Sequence, residues 1–245
     1  MHIGHSGCTA TISQTQPIGM ENQYAEEAAK ILKRDGVNLK TVTTDGDSRI
    51  VTGIRKVYGN SVESLKDAIH YSKAHEKSIA KSKLSTAMFS GPKTERENKQ
   101  KLFAKDLKRR CTAEYDSAFK KCRKIKNDGK RKSELRSILR RTPQAILKCI
   151  LCKKYSHVCH GTKKKFHSNN ILAEPFKMTA GDRRTLRILI LIRLGPDAVD
   201  ITHRNSNTQK SESFNRKLNK SIPKCLQGLT VEGWVPLSLT IIWAS

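Results

Sequence analysis

Acidic and apolar residues are both scarce in this chain of 245 residues. Asp and Glu number 22 against 48 Lys and Arg, for a formal net charge of +26. Hydrophobic residues make up 36% and aromatics 5%, where an ordinary soluble domain is ~45–50% apolar. Any core must therefore be thin or share the chain with long solvated stretches. Long hydrophobic runs are missing as well. Leu186 to Leu194 is the longest, it is cut by Arg187 and Arg193, and it falls far short of the ~20 residues a membrane span needs. No Lys or Arg precedes an apolar stretch between Met1 and Gly19, so no secretory leader is expected and neither membrane nor secreted classes fit. An even set of cysteines is lacking too. The count is seven, with three inside residues 149–159, which argues against a disulfide framework and for a metal site.

What the chain has is positive charge. An excess this large favours a polyanionic partner, DNA or RNA being the usual one. Phosphate attraction supplies affinity but neither sequence information nor chemistry, so charge alone leaves a non-catalytic basic protein open.

The apolar positions of Met20 to Arg34 recur at helical spacing, with acids early, bases late and Gly36 as a stop, which predicts a helix. Val37 to Thr44 alternates and is β-branched, a strand ending at Asp45-Gly46-Asp47. Helix and strand in succession are half of an α/β repeat. A loop is expected around Gly53 to Ser61, then a polar helix from Leu65 to Lys81 carrying Asp67, His70 and His75. Residues 93–141 hold 19 Lys/Arg and 7 Asp/Glu. Their apolar residues fall on one stripe, which predicts one or two long amphipathic helices with breaks at Asp128-Gly129 and Thr142-Pro143. Thr179 to Leu194 reads as a Thr-capped core helix, and Thr208 to Lys220 as a further one. From Leu226 the charge disappears and an apolar tail follows.

Two constellations carry chemistry. Asp45 and Asp47 close a strand, where open α/β sheets place their active sites, and strand-end carboxylates are what a two-metal phosphoryl-transfer site uses. Asp-Gly is equally a common turn. Cys149 and Cys152 offer two thiolates three residues apart, and His157, Cys159 or His160 can complete a tetrahedral Zn²⁺ shell. Two unrelated reduced cysteines are the plain alternative. His70 and His75 are by default packing or surface histidines.

The strings GHSGCTATISQTQPIG and VTTDGDSR, the step Asp67-Ala68-Ile69-His70, and NTQKSESFNR, in that order between about Gly4 and Lys224, resemble the Mutator-like transposase domain of invertebrate genomes. The resemblance implies an RNase H-like fold with an Asp-Asp-Glu triad that binds Mg²⁺ or Mn²⁺ and cuts DNA at transposon ends. It also implies a long helical insertion before the Glu. Asp45 matches the second catalytic Asp, with Asp47 as runner-up, and Glu212 matches the metal-binding Glu. Asp67 and His70 match an Asp-x-x-His signature, and residues 149–159 resemble a Cys/His knuckle inside the insertion. DNA and a second copy of the chain are the implied partners, and the nucleus the implied location.

The sequence also departs from that pattern. No residue matches the first catalytic Asp, Tyr155 stands where a ligand His is expected, Ser211 replaces a Cys, and the likeness stops after Lys224. These features point to a truncated, decaying copy. The expected architecture is thus α/β. An incomplete RNase H-like core (helix and strand) spans 1–66, and a basic, mainly α-helical insertion with the zinc knuckle spans 67–178. Core helices carrying Glu212 span 179–225, and an unrelated apolar tail 226–245. The expected function is DNA binding with transposase catalysis lost. The alternatives are a non-catalytic basic nucleic-acid-binding protein or a zinc-stapled interaction protein.

Overall fold

A computed structural model of the chain describes residues 21–46, 48–151, 177–206 and 240–241. The chain divides into two compact units, 1–67 with 206–245, and 68–205.

The first unit begins with α1 (Glu21–Arg34). Gly36, at φ +78°, ends this helix. Its N–H bonds the Lys33 carbonyl and the Val37 N–H reaches back to Leu32, the paired closure that a left-handed glycine makes possible. Then β1 (Thr41–Thr44) enters, all four residues buried. The α/β-type connection continues through α2 (Ser48–Tyr58) to β2 (Glu63–Lys66), parallel to β1 in the register Thr41–Glu63 to Thr44–Lys66. A two-residue strand β3 (Thr240–Ile241) pairs antiparallel with the other edge of β1, so the order is β2-β1-β3.

Helix α2 occupies much of the segment expected to be a loop. Ile50, Val51 and Ile54 are buried and Val57 and Tyr58 pack beside them, a 3.6-residue stripe that was legible once Gly53 is not taken for a break. Gly53 is there for proximity: a Cβ built on it would lie 2.0 Å from the Asn22 carbonyl oxygen, so α1 and α2 cross backbone to backbone. The strand β2 was also missed, because only Leu65 of its four residues is buried and pairing with β1, not periodicity, defines it. The predicted helix from Leu65 in fact starts at Ala68.

Every described element of the second unit is a helix: α3 (Ala68–Lys81), α4 (Lys93–Cys122), α5 (Asp128–Leu139), α6 (Thr142–Leu151), α7 (Ala180–Leu194) and α8 (Pro196–Thr202). The spine is α4, whose Phe103, Leu107, Cys111, Tyr115, Ala118 and Cys122 are buried at three- and four-residue intervals against Leu186, Ile190 and Leu194 of α7. Asp128-Gly129, expected as a break, instead begins α5, and the break lies just before it, with Asn127 capping the Lys130 N–H at 2.9 Å. Thr179 caps α7 as expected, in a reciprocal box with Asp182. The Asp182 carboxylate also accepts the N–H and hydroxyl of Ser85 at 2.8 and 2.6 Å, joining the α3–α4 connection to the start of α7.

Candidate metal and nucleic-acid site

The parallel pair ends at Thr44 and Lys66, and the next residue on each strand is an aspartate, Asp45 and Asp67. The Asp67 N–H donates to the Thr44 carbonyl at 2.7 Å, so the ladder continues one step past the formal strand end. Two carboxyl-bearing residues thus leave neighbouring strands, whose usual spacing is about 4.8 Å, at the carboxyl end of the sheet. That is where open α/β sheets hold ligands. Asp45 is exposed, whereas Asp67 is buried. Behind Asp45, Gly46 adopts φ +121°, a region closed to side-chain-bearing residues, and its N–H donates to Thr44 Oγ1 at 3.3 Å. The turn reading and the strand-end reading of Asp45-Gly46 are therefore compatible: the turn presents the carboxylate.

The juxtaposition of Asp45 and Asp67 is what sequence reasoning missed. Asp67 is assigned there to a helix signature, and its place on the sheet depends on β2. One sequence signal was available: an Asp directly before a helix start, Ala68, is a common strand-to-helix junction. His70 lies in the first turn of α3 and is half-buried.

Asp47 and Glu212 lie outside the described residues. Near Glu212 in sequence, Ser206 is described: its Oγ is 2.9 Å from Thr43 Oγ1 in β1. The chain therefore returns to β1 six residues before Glu212. Of the zinc candidates, Cys149 is in the last turn of α6. Cys152, His157, Cys159 and His160 lie outside the described residues, as does the expected helix Thr208 to Lys220.

His75, Cys111 and Cys122 serve packing. His75 is buried, its Nε2 2.8 Å from the Leu189 carbonyl oxygen. Burial drives its pKa from 6.5 down to about 4, assisted by the Arg193 charge and opposed by the Leu189 hydrogen bond. It is therefore the neutral packing histidine that the default reading describes. Cys111 and Cys122 are buried free thiols, and burial pushes Cys111 up to about 12, which removes it as a nucleophile. Among the described residues no helix is long and apolar enough to cross a membrane.

A strand-end carboxylate pair in a chain this basic suits a protein of the nucleic-acid-processing class. A family model describing the Mutator-like transposase matches residues 2–164, more than half of the chain, and the chain belongs to that family. The match includes Asp45, Asp67, His70 and the Cys149–His160 stretch, and ends before Glu212. No curated protein and no solved structure matches the chain.

Proposed function

We propose that this chain is part of a metal-dependent DNA transposase with an RNase H-like core, and that by itself it holds DNA without cutting it. The family match is the observation that carries this reading, and the placement of Asp45 and Asp67 at the ends of paired strands supports it. Carboxylate oxygens on rigid strand ends are the donors that Mg²⁺ or Mn²⁺ takes, so the residues present suit such an ion. Asp45 and Glu212 would hold it, and the metal would supply activation of a nucleophile and stabilisation of the leaving oxygen at a phosphodiester. Asp67, already buried, would orient the strand end, and His70 is the other position matched to the family's Asp-x-x-His signature. The positions matched to the family's triad are two of its three carboxylates. Because residues of a metal triad act as a unit, the expected residual cleavage is negligible.

Zn²⁺ is the second metal of this reading. Cys149, at the end of α6, stands three residues before Cys152, and thiolates at that spacing can staple a chain poor in apolar residues.

The test is direct. Purified protein is titrated into labelled duplex DNA at several salt concentrations, and the same preparation is incubated with supercoiled DNA and Mg²⁺ or Mn²⁺. Binding that weakens steeply with salt, without nicking, is the expected outcome. Nicking abolished by Asp45→Ala would overturn the inactive part while strengthening the assignment of Asp45. Absence of any DNA binding would remove the reading. Zinc content lost in a Cys149→Ser, Cys152→Ser variant checks the knuckle.

A further inference from the structure

Helices α4 and α5 are joined by a short turn with an unusual charge pattern. Lys120, Lys121, Arg123, Lys124, Lys126 and Lys130 are all exposed, and none has a carboxylate partner among the described residues. The only acid between positions 120 and 130 is Asp128. It is ion-paired with Arg131 at 2.8 Å and with Arg204. Burial favours its protonation, but the Arg204 hydrogen bond and the His203 and Arg131 charges outweigh that and keep its pKa low. Asp128 is thus already neutralised from within.

Elsewhere on the same helices several charges are matched, and the exposed Lys101, Lys105 and Arg109 of α4 are spread over nine residues. Lys99 pairs with Glu95, Lys108 with Glu76, Arg110 with Glu114, and Arg136 with Asp200. The turn sets six cations without a carboxylate partner among the described residues within eleven positions, at a cost in self-repulsion.

Helix stability does not explain them. Lys120 and Lys121 in the last turn of α4 complement its dipole, but Lys126 and Lys130 flank the start of α5, where the positive end of the dipole favours carboxylates. These cations therefore oppose the helix they begin, and a partner outside the fold has to account for them.

The turn is also rigid. Ile125 packs against the core, and its N–H donates to the Cys122 carbonyl at 2.9 Å. The Ile125 carbonyl accepts from the Arg131 guanidinium, and Asn127 caps Lys130. Such pinning holds six cations on a fixed backbone, which lowers the ordering cost of binding.

We propose that the α4–α5 turn is the main phosphate clamp of this protein, a sequence-independent contact to the backbone of duplex DNA made by Lys120, Lys121, Arg123, Lys124, Lys126 and Lys130. The proposal rests on the DNA-binding reading above and assigns that binding a location. Charge complementarity selects the occupant, because duplex DNA presents one negative charge per ~1.7 Å of axis.

The experiment uses the full chain and a labelled random-sequence duplex, with affinity measured by fluorescence anisotropy across a salt series. One variant changes all six residues to Gln. A control variant, Lys101→Gln, Lys105→Gln, Arg109→Gln, removes exposed charge from the middle of α4, and a three-residue subset of the turn (Lys124→Gln, Lys126→Gln, Lys130→Gln) matches its charge. Each phosphate contact contributes about 0.9 to the slope of log affinity against log salt. The six-residue variant should lose roughly tenfold or more in affinity and about three or more in slope, if half of its cations touch phosphate. The three-residue subset should lose clearly more than the control, with thermal unfolding unchanged or raised in both. An unaltered slope in the six-residue variant, or equal losses in control and subset, overturns the clamp while leaving DNA binding intact. Wild-type protein that does not bind the duplex overturns the DNA-binding reading itself, and the clamp with it.

Discussion

The two units solve the shortage of apolar residues differently. Among the described residues, the strand-bearing unit buries a cluster of small and β-branched side chains: Ala25, Ala29, Leu39, Val42, Ile50, Val51, Ile54 and Val62. It fits them together by backbone contact at Gly53. The helical unit buries a larger cluster with Phe89, Phe103 and Tyr115 in it and adds buried polar groups: Asp182, His75 and Arg193 are all nearly inaccessible. Close approach therefore stabilises the first, whereas the second adds to aromatic packing a set of buried polar groups, of which Asp182 is the best satisfied. If so, substitutions should act on one unit at a time and through different physics.

The largest expected effect tests the first half. A Cβ at position 53 would meet the Asn22 carbonyl oxygen at 2.0 Å, and the Asn22 carbon and Glu26 nitrogen at 2.9 Å. Backbone cannot rotate away as a side chain can, so α1 and α2 must separate. Gly53→Ala should destabilise this unit by roughly 3 kcal/mol, the upper range for overpacking. Hydrogen exchange followed by mass spectrometry should show accelerated exchange in peptides from 21–66 and unchanged protection in 93–122. Acceleration in both would mean that the units do not unfold separately.

The counterpart in the helical unit is Asp182. Its carboxylate accepts four hydrogen bonds, two from Ser85 and two from Thr179. Burial favours the protonated acid, yet the Ser85 hydroxyl and amide and the two Thr179 donors bring the pKa from 3.8 down to about 2. The folded state therefore favours ionised Asp182. The stability gained is fully present above about pH 4 and is lost as pH falls towards 2. Asp182→Ala removes the Asp182 half of the capping box of α7 and strands the Ser85 and Thr179 donors, for a loss of about 2–4 kcal/mol. Circular dichroism melts at neutral pH check this. A loss under 1 kcal/mol would show that the network is not what holds α7.

His75 gives the opposite ionisation and a similar pH direction. Folded His75 is neutral with a pKa of about 4 against its ordinary 6.5. As pH drops from 6.5 to 4 the unfolded chain takes up a proton that the folded chain refuses. Stability is thus complete above about 6.5 and declines through that window, by about 2–3 kcal/mol at its lower end. His75→Gln, which keeps a donor for the Leu189 carbonyl, should flatten the decline. A wild-type profile that is already flat between pH 6.5 and 4.5 would place the ring in water.

These contrasts also explain what was legible in the sequence. The α4 stripe and the Thr179 cap were readable because helix periodicity and capping are local rules. Helix α2 obeyed the same periodicity, but Gly53 and Gly59 read as loop signals. Glycine there serves contact with α1, which no window around residue 53 contains. The strand end at Asp45 was legible for the same local reason. Its neighbour Asp67 was not, since the four residues of β2 become a strand only by pairing with β1. The pairing that brings Asp67 level with Asp45 is a tertiary fact. The proposed clamp was half-visible: the sequence shows its basic run, but only the fold shows Asp128 ion-paired with Arg131 and Arg204 and so withdrawn from it.

Arg193 carries the smallest expected effect and the sharpest test of the polar-network idea. Its guanidinium stacks 4.3 Å from the Tyr115 ring centroid and 5.8 Å from that of Tyr71, while its Nε and Nη1 are buried without a hydrogen-bond partner. Two desolvated cation–π contacts contribute up to about 2 kcal/mol each, and the two unsatisfied donors cost about 1–3 kcal/mol each, so gain and cost are of similar size. Arg193→Met, similar in length and free of charge, should change stability by no more than about 1 kcal/mol. Tyr115→Leu alone should cost about 3 kcal/mol, because it leaves the buried cation only the more distant Tyr71 ring and also removes the hydroxyl that donates to the Thr202 carbonyl at 2.7 Å. In the Arg193→Met background the same substitution should cost at least 1 kcal/mol less, since no stranded charge remains. Equal costs in both backgrounds would mean that the arginine is hydrated rather than held by the rings. The helical unit would then owe its stability to apolar packing alone, as the strand-bearing unit does.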